Sequence, residues 1–168
     1  MNKKTIILIG FMGSGKTTVA RNLAEKTNLQ WIDTDMLITR SAGKSISELF
    51  ETSEDYFRSW ERDICRSLRN KSNCVISTGG GIIHSEETCN ILKEIGEIVY
   101  LEASTQTLFE RVKDSTHRPL LQTEDKFTAL STLLKKRHPL YTKLATYTLK
   151  TDQLTIDVIS DTLIKHYE

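Results

Sequence analysis

Apolar residues along this chain alternate between short continuous runs and longer stretches with a helical repeat. Thr5–Ile9 (TIILI) is a β-branched run that stops at Gly10, the pattern of a buried parallel strand. From Thr17 to Lys26 the period changes, and Val19, Ala20, Leu23 and Ala24 share one helical face. Leu29–Ile32 predicts a second strand ending at Asp33. Ser45 and Glu48 have capping-box spacing ahead of Leu49 and Phe50, and a long helix is expected from about Glu54 to Asn70. Cys74–Ser77 predicts a strand, Gly79–Gly81 a turn, Glu86–Lys93 a helix and Glu97–Leu101 another strand. Ser104 is placed to cap a helix reaching Val112. Lys113–Thr123, polar and containing Pro119, predicts a loop. A helix over Lys126–Arg137 is expected to end near Pro139, followed by a strand at Tyr147–Lys150 and a helix over Leu154–His166. Strands alternating with helices imply one α/β domain over 1–168, with a parallel sheet covered on both faces. Ligands of such sheets bind at the carboxyl ends of the strands. Gly10, Asp33, Gly79 and the loop after Leu101 all fall at such ends.

Chemistry enters at the first of these ends. Gly10-Phe11-Met12-Gly13-Ser14-Gly15-Lys16-Thr17 matches the phosphate-loop pattern GxxxxGK[ST], between a strand and a helix as the motif requires. Backbone N–H groups of such a loop, with Gly13, Ser14, Gly15 and Thr18, can surround the phosphates of ATP. Lys16 can reach the β- and γ-phosphates, and the Thr17 hydroxyl can ligate Mg²⁺. Asp33-Thr34-Asp35 then puts two carboxylates two residues apart at a strand end. In extended backbone both would face the same way, so one is expected to serve Mg²⁺ and the other to orient or deprotonate a substrate hydroxyl. The alternative is that they merely cap the helix at Met36.

Four further segments point to an anionic acceptor. Arg58 and Glu61 stand i and i+3 on the long helix. They form either a structural salt bridge or a carboxylate grip in which Glu61 holds the guanidinium. Gly79, Gly80 and Gly81 permit close backbone approach to a ligand, and Ser77 just before them could touch a Mg²⁺-bound water. Arg118, in the loop, could close over the γ-phosphate, and Arg137 is one more anion-binding candidate.

Bulk properties narrow the partners. The 168 residues carry 23 basic and 22 acidic side chains, net +1, without a long basic run to mark nucleic-acid binding. No apolar run approaches the roughly 20 residues of a membrane span. Cys65, Cys74 and Cys89 form no CxxC pair and read as reduced thiols, so a cytoplasmic protein is expected. His84, His117, His138 and His166 lack metal-ligand spacing.

In combination these motifs resemble the shikimate kinase family. The resemblance runs from Thr5 to about Lys150. It rests on the phosphate loop, Asp33/Asp35, the FRxxE segment Phe57–Glu61, Gly79–Gly81, the RPLL segment Arg118–Leu121 and the RxPLY segment Arg137–Tyr141. It implies a five-stranded parallel sheet of the nucleoside-monophosphate-kinase type. A substrate-binding helical segment at about 34–62 and a mobile lid at about 113–123 are implied with it. Lys16, Asp35 and Arg118 would be catalytic. Thr17 and Asp33 would serve Mg²⁺, and Arg111 would lie along the adenine. Asp35 and the glycine turn would hold substrate hydroxyls, while Arg58 and Arg137 grip the carboxylate. The implied reaction is ATP-dependent phosphorylation of shikimate at its 3-hydroxyl by a monomer, a step toward chorismate. Two departures stand out. Thr52-Ser53-Glu54 replaces the family's glycine-acidic pair, one residue short, and Thr151–Leu154 lacks the proline common in the adenine loop. A gluconate-type kinase, a nucleoside monophosphate kinase or a non-catalytic nucleotide-binding protein would share the phosphate loop but not the full set of motifs.

Overall fold

The computed structural model describes residues 5–115 and 124–167. Five parallel strands, β1 (Ile6–Ile9), β2 (Gln30–Asp33), β3 (Cys74–Ser77), β4 (Glu97–Glu102) and β5 (Tyr147–Lys150), lie in the order β2-β3-β1-β4-β5. Each of the four pairings is parallel. The helices are α1 (Lys16–Thr27), α2 (Thr34–Ala42), α3 (Ile46–Thr52), α4 (Glu54–Ser67), α5 (Glu86–Ile95), α6 (Thr105–Val112), α7 (Lys126–Leu144) and α8 (Ile156–Tyr167).

The period-2 geometry of β1 divides its buried residues between two cores. Ile7 and Ile9 enter one core with Phe11, Ile76, Tyr100 and Tyr141, whereas Ile6 and Leu8 enter the other with Val19, Leu23 and Leu163. Burying a side chain of this size contributes about 1.5–3 kcal/mol. A central strand flanked on both faces is therefore the most firmly held element here, and its carboxyl end is a rigid base for the glycine loop.

Most sequence expectations for the elements hold, and the differences have local causes. Ser45 and Glu48 form the complete capping box, and Ser104 caps α6. The long helix α4 stops at Ser67 rather than Asn70, because Leu68–Lys71 close a tight turn. Ser53 alone separates α3 from α4: its backbone ends one helix and its hydroxyl caps the next by accepting from Tyr56 N at 3.0 Å. The shortened segment before Arg58 thus becomes a one-residue joint. The larger correction concerns α7, which does not stop before Pro139 but runs through it to Leu144. Leu130, Leu134, Arg137, Tyr141 and Leu144 form one buried stripe spaced by four and three residues. Burial of Tyr141 and Leu144 outweighs the hydrogen bond that proline cannot make.

Candidate functional site

The phosphate loop leaves β1 and turns on glycines in left-handed conformations, with φ of 80° at Gly13 and 88° at Gly15, before α1 begins at Lys16. Lys16 is not open to solvent, as a free phosphate-binding lysine would be expected to be. It is 9% exposed, and its Nζ donates to Phe11 O at 2.9 Å. The loop's own carbonyl thereby holds the ammonium inside the curve. Arg111, on α6, donates from Nη1 to Gly13 O at 3.1 Å, which ties that helix to the loop. Lys16, Thr17, Thr18, Asp35 and Gly80 line one cleft of about 300 Å³, together with Gly13, Gly15 and Gly79. A larger groove of about 780 Å³ follows edge strand β2 and α2, past Trp31, Met36 and Leu37, and none of the phosphate-loop residues lines it.

Of the two aspartates, Asp35 lines this cleft, whereas Asp33 lines the groove along β2 and touches the cleft through Thr17; strand alternation places neither. Asp33 is the last residue of β2 and the N-cap of α2, whereas Asp35 lies in the first helical turn. They therefore meet different neighbours. Asp33 accepts from Met36 N at 3.0 Å, Thr17 Oγ1 at 3.1 Å and Ser77 Oγ at 2.7 Å. The capping reading is realised at Asp33, and its carboxylate also meets the Thr17 hydroxyl. Trp31 Nε1 donates to Ser77 Oγ at 3.1 Å, so the serine proton is left for Asp33. Because Thr17 gives its proton to Asp33, its lone pairs remain for a cation. These groups offer only oxygen donors with one carboxylate, which fits Mg²⁺, a hard ion that keeps waters and phosphate ligands. Among the described residues no cluster of three or more His, Cys, Asp and Glu side chains is built to hold a metal.

Asp35 instead faces the glycine turn. A Cβ on Gly79 would lie 2.8 Å from Asp35 Oδ1 and 3.2 Å from Glu61 Oε1, so only glycine leaves room for both carboxylates. The start of α2 and this turn are also joined directly, since Gly79 N donates to Thr34 Oγ1 at 3.2 Å. Being in the first turn, Asp35 sits in the favourable field of the α2 N-terminus.

Beyond the turn lies a basic corner. Arg58 Nη1 binds Glu61 Oε2 at 2.5 Å, and its Nη2 meets Glu54 at 3.1 Å. Glu61 is 4% exposed and Arg137 5%. Burial pushes the Glu61 carboxyl upward, and Arg58 offsets part of this. Burial likewise opposes the charge on Arg58, but Glu61 and Glu54 more than compensate and raise its pKa. Arg137 comes from the continued α7 and lies 5.8 Å from the Phe11 ring centroid. Neither Arg137 Nε nor Glu61 Oε1 finds a hydrogen-bond partner among the described residues. A buried guanidinium nitrogen thus keeps an unused donor beside the glycine turn. His84 senses the same field, for burial first, then Arg137 and Arg58, lower its pKa.

The glycine turn depends on this corner. An alanine Cβ at Gly81 would stand 2.4 Å from Arg58 Nη1 and 2.5 Å from Nη2. Gly81→Ala should fold, because the end of a flexible side chain can move, but Arg58 must leave its position. We expect KM for the acceptor to rise about 10-fold or more, with KM for ATP unchanged, in steady-state kinetics.

Lys16, Thr17, Asp33, Asp35, Arg58, Gly79–Gly81, Arg111 and Arg137 are thus gathered at one end of the sheet. Arg118 and most of the expected lid lie outside the described residues. Tyr141 was legible only as part of a motif, although its i+4 spacing from Arg137 on one helix face was a usable signal.

Comparison with known proteins gives a consistent picture. The family model described as shikimate kinase matches residues 12–168. A shikimate kinase of Legionella pneumophila (strain Corby) is 41% identical over 97% of this chain and 94% of its own length. One from Thermodesulfovibrio yellowstonii is 41% identical over 98% and 95%. The structure of shikimate kinase from Acinetobacter baumannii in complex with shikimate superposes with a TM-score of 0.93 at 36% identity, covering 98% of this chain and 92% of that one.

Proposed function

The chain belongs to the shikimate kinase family, and on that premise we propose how its own residues transfer the γ-phosphoryl group of ATP to the 3-hydroxyl of shikimate. The observation that carries the reading is the pairing of a complete phosphate loop with a buried, partly unpartnered arginine corner across one glycine turn. A phosphoryl donor and a carboxylated acceptor would meet there.

In this reading the N–H groups of Gly13–Thr18 cradle the phosphates of ATP. Lys16, already held inside the loop by Phe11, follows the charge that develops on the transferring group. Thr17 and Asp33 would hold Mg²⁺, whose charge would screen the phosphates of ATP. Arg58 and Arg137 grip the shikimate carboxylate, and Glu61 keeps Arg58 aimed. That grip and the glycine turn present the 3-hydroxyl to Asp35, which orients it and accepts its proton as the oxygen attacks phosphorus in line. Arg111 borders the nucleotide side. Arg118 is assigned to the transferring phosphoryl group on its sequence motif alone.

We assign the reaction to a monomer. Three free cysteines are consistent with a cytoplasmic setting. No described helix is long and apolar enough to cross a membrane.

An ADP-release assay across shikimate, quinate, gluconate and nucleoside monophosphates tests the assignment. Turnover should be strongest with shikimate, whereas preference for another acceptor would overturn it. Arg58→Ala should raise KM for shikimate by about 10- to 150-fold with a smaller effect on kcat, the range for losing a charge-assisted hydrogen bond. Unchanged KM would mark the Arg58–Glu61 pair as structural.

A further inference from the structure

Tyr141 is fully buried, 0% exposed, four residues beyond Arg137 on α7, so it cannot touch a ligand in the cleft. Its hydroxyl nevertheless reaches the acceptor site. It donates to Gly80 O, the carbonyl in the middle of the glycine turn, from the same helix that carries Arg137. The ring is fixed from behind, stacked on Tyr100 with centroids 5.0 Å apart. Tyr100 is in turn seated on β4 and bonded to His138 Nδ1 at 3.1 Å. A direct line therefore runs from the sheet through two stacked rings to the turn.

We propose that Tyr141 is a positioning residue for the acceptor, whose hydroxyl sets the Gly79–Gly81 turn from the helix that also carries Arg137; this rests on the acceptor site proposed above. Gly80 O is fixed on the Tyr141 side, and the trans peptide turns the Gly81 N–H the opposite way. A Cβ on Gly80 would meet Gly10 O at 3.4 Å, Met12 N at 3.5 Å and the Tyr141 hydroxyl at 3.7 Å, so the middle of the turn lies between the phosphate loop and that hydroxyl. Arg137, four residues before Tyr141 on α7, keeps a buried Nε without a partner among the described residues. Burial pushes the Tyr141 hydroxyl up to about 12, so it remains a proton donor at every working pH.

Tyr141→Phe removes the oxygen and keeps the ring, its volume and its stack on Tyr100. It leaves the Gly80 carbonyl without this donor. KM for shikimate should rise about 10-fold, with KM for ATP within about 2-fold of the parent. Calorimetric titration with shikimate in the absence of nucleotide should show the same loss of affinity. Tyr100→Phe, which removes an equally buried hydroxyl that does not reach the turn, should leave shikimate affinity within about 2-fold. A lowered melting temperature with unchanged shikimate KM in Tyr141→Phe would make the hydroxyl merely structural and overturn the proposal. Failure of Tyr141→Phe to fold would do the same, as would an equal loss in Tyr100→Phe. If the parent enzyme releases no ADP with shikimate, the functional assignment fails instead, and the two failures are distinguishable.

Discussion

Asp35→Asn is expected to turn over shikimate about 10²–10⁴-fold more slowly than the parent while still binding MgATP, the range for loss of a positioned general base. Asparagine keeps the size that Gly79 accommodates, where a Cβ would approach Oδ1 to 2.8 Å. It removes the charge and the capacity to accept a proton. The cation-facing hydroxyl of Thr17 is bonded to Asp33 rather than Asp35, so the nucleotide side of the cleft should survive. Steady-state kinetics and a separate ATP titration check both halves. If MgATP affinity collapsed and shikimate affinity held, the two aspartates would have to exchange roles.

Lys16→Met should lower kcat by about 10²–10³-fold with the fold intact, the usual effect of removing one preorganised group that stabilises transition-state charge. Methionine is the informative replacement, because the Lys16 stem is packed and only 9% of the residue is exposed. Alanine would leave a void, whereas methionine fills the stem's volume and deletes the charge. Its Nζ already points inward to Phe11 O at 2.9 Å, so part of the cost of ordering the side chain is met before ATP arrives. Thermal melting together with kcat separates folding from chemistry. Near-parental turnover would contradict the phosphate-loop assignment.

These expectations were legible in the sequence to different depths. The phosphate loop and the alternation of strands and helices were readable because local rules govern them: glycine at positive φ, apolar runs of strand length and capping residues at helix starts. The extent of α7 was not readable locally, since Pro139 is a strong stop signal and only tertiary burial of Tyr141 and Leu144 overrides it. Asp33 and Asp35 were found as a pair, but their division of labour follows from a strand-to-helix turn between them, which spacing alone does not reveal. The burial of Lys16 depends on one backbone carbonyl in its own loop. The Tyr141 link to Gly80 spans 61 residues, and no local pattern encodes such a contact.

The central claim is transfer of the γ-phosphoryl group to the 3-hydroxyl of shikimate. Its most direct test is ³¹P nuclear magnetic resonance of a reaction containing the protein, Mg²⁺, ATP and shikimate. The account predicts one new phosphomonoester signal that grows in step with ADP and couples to the proton on C3 of the ring. Growth of inorganic phosphate with no organic phosphomonoester, or coupling of the new signal to a different ring proton, would contradict it.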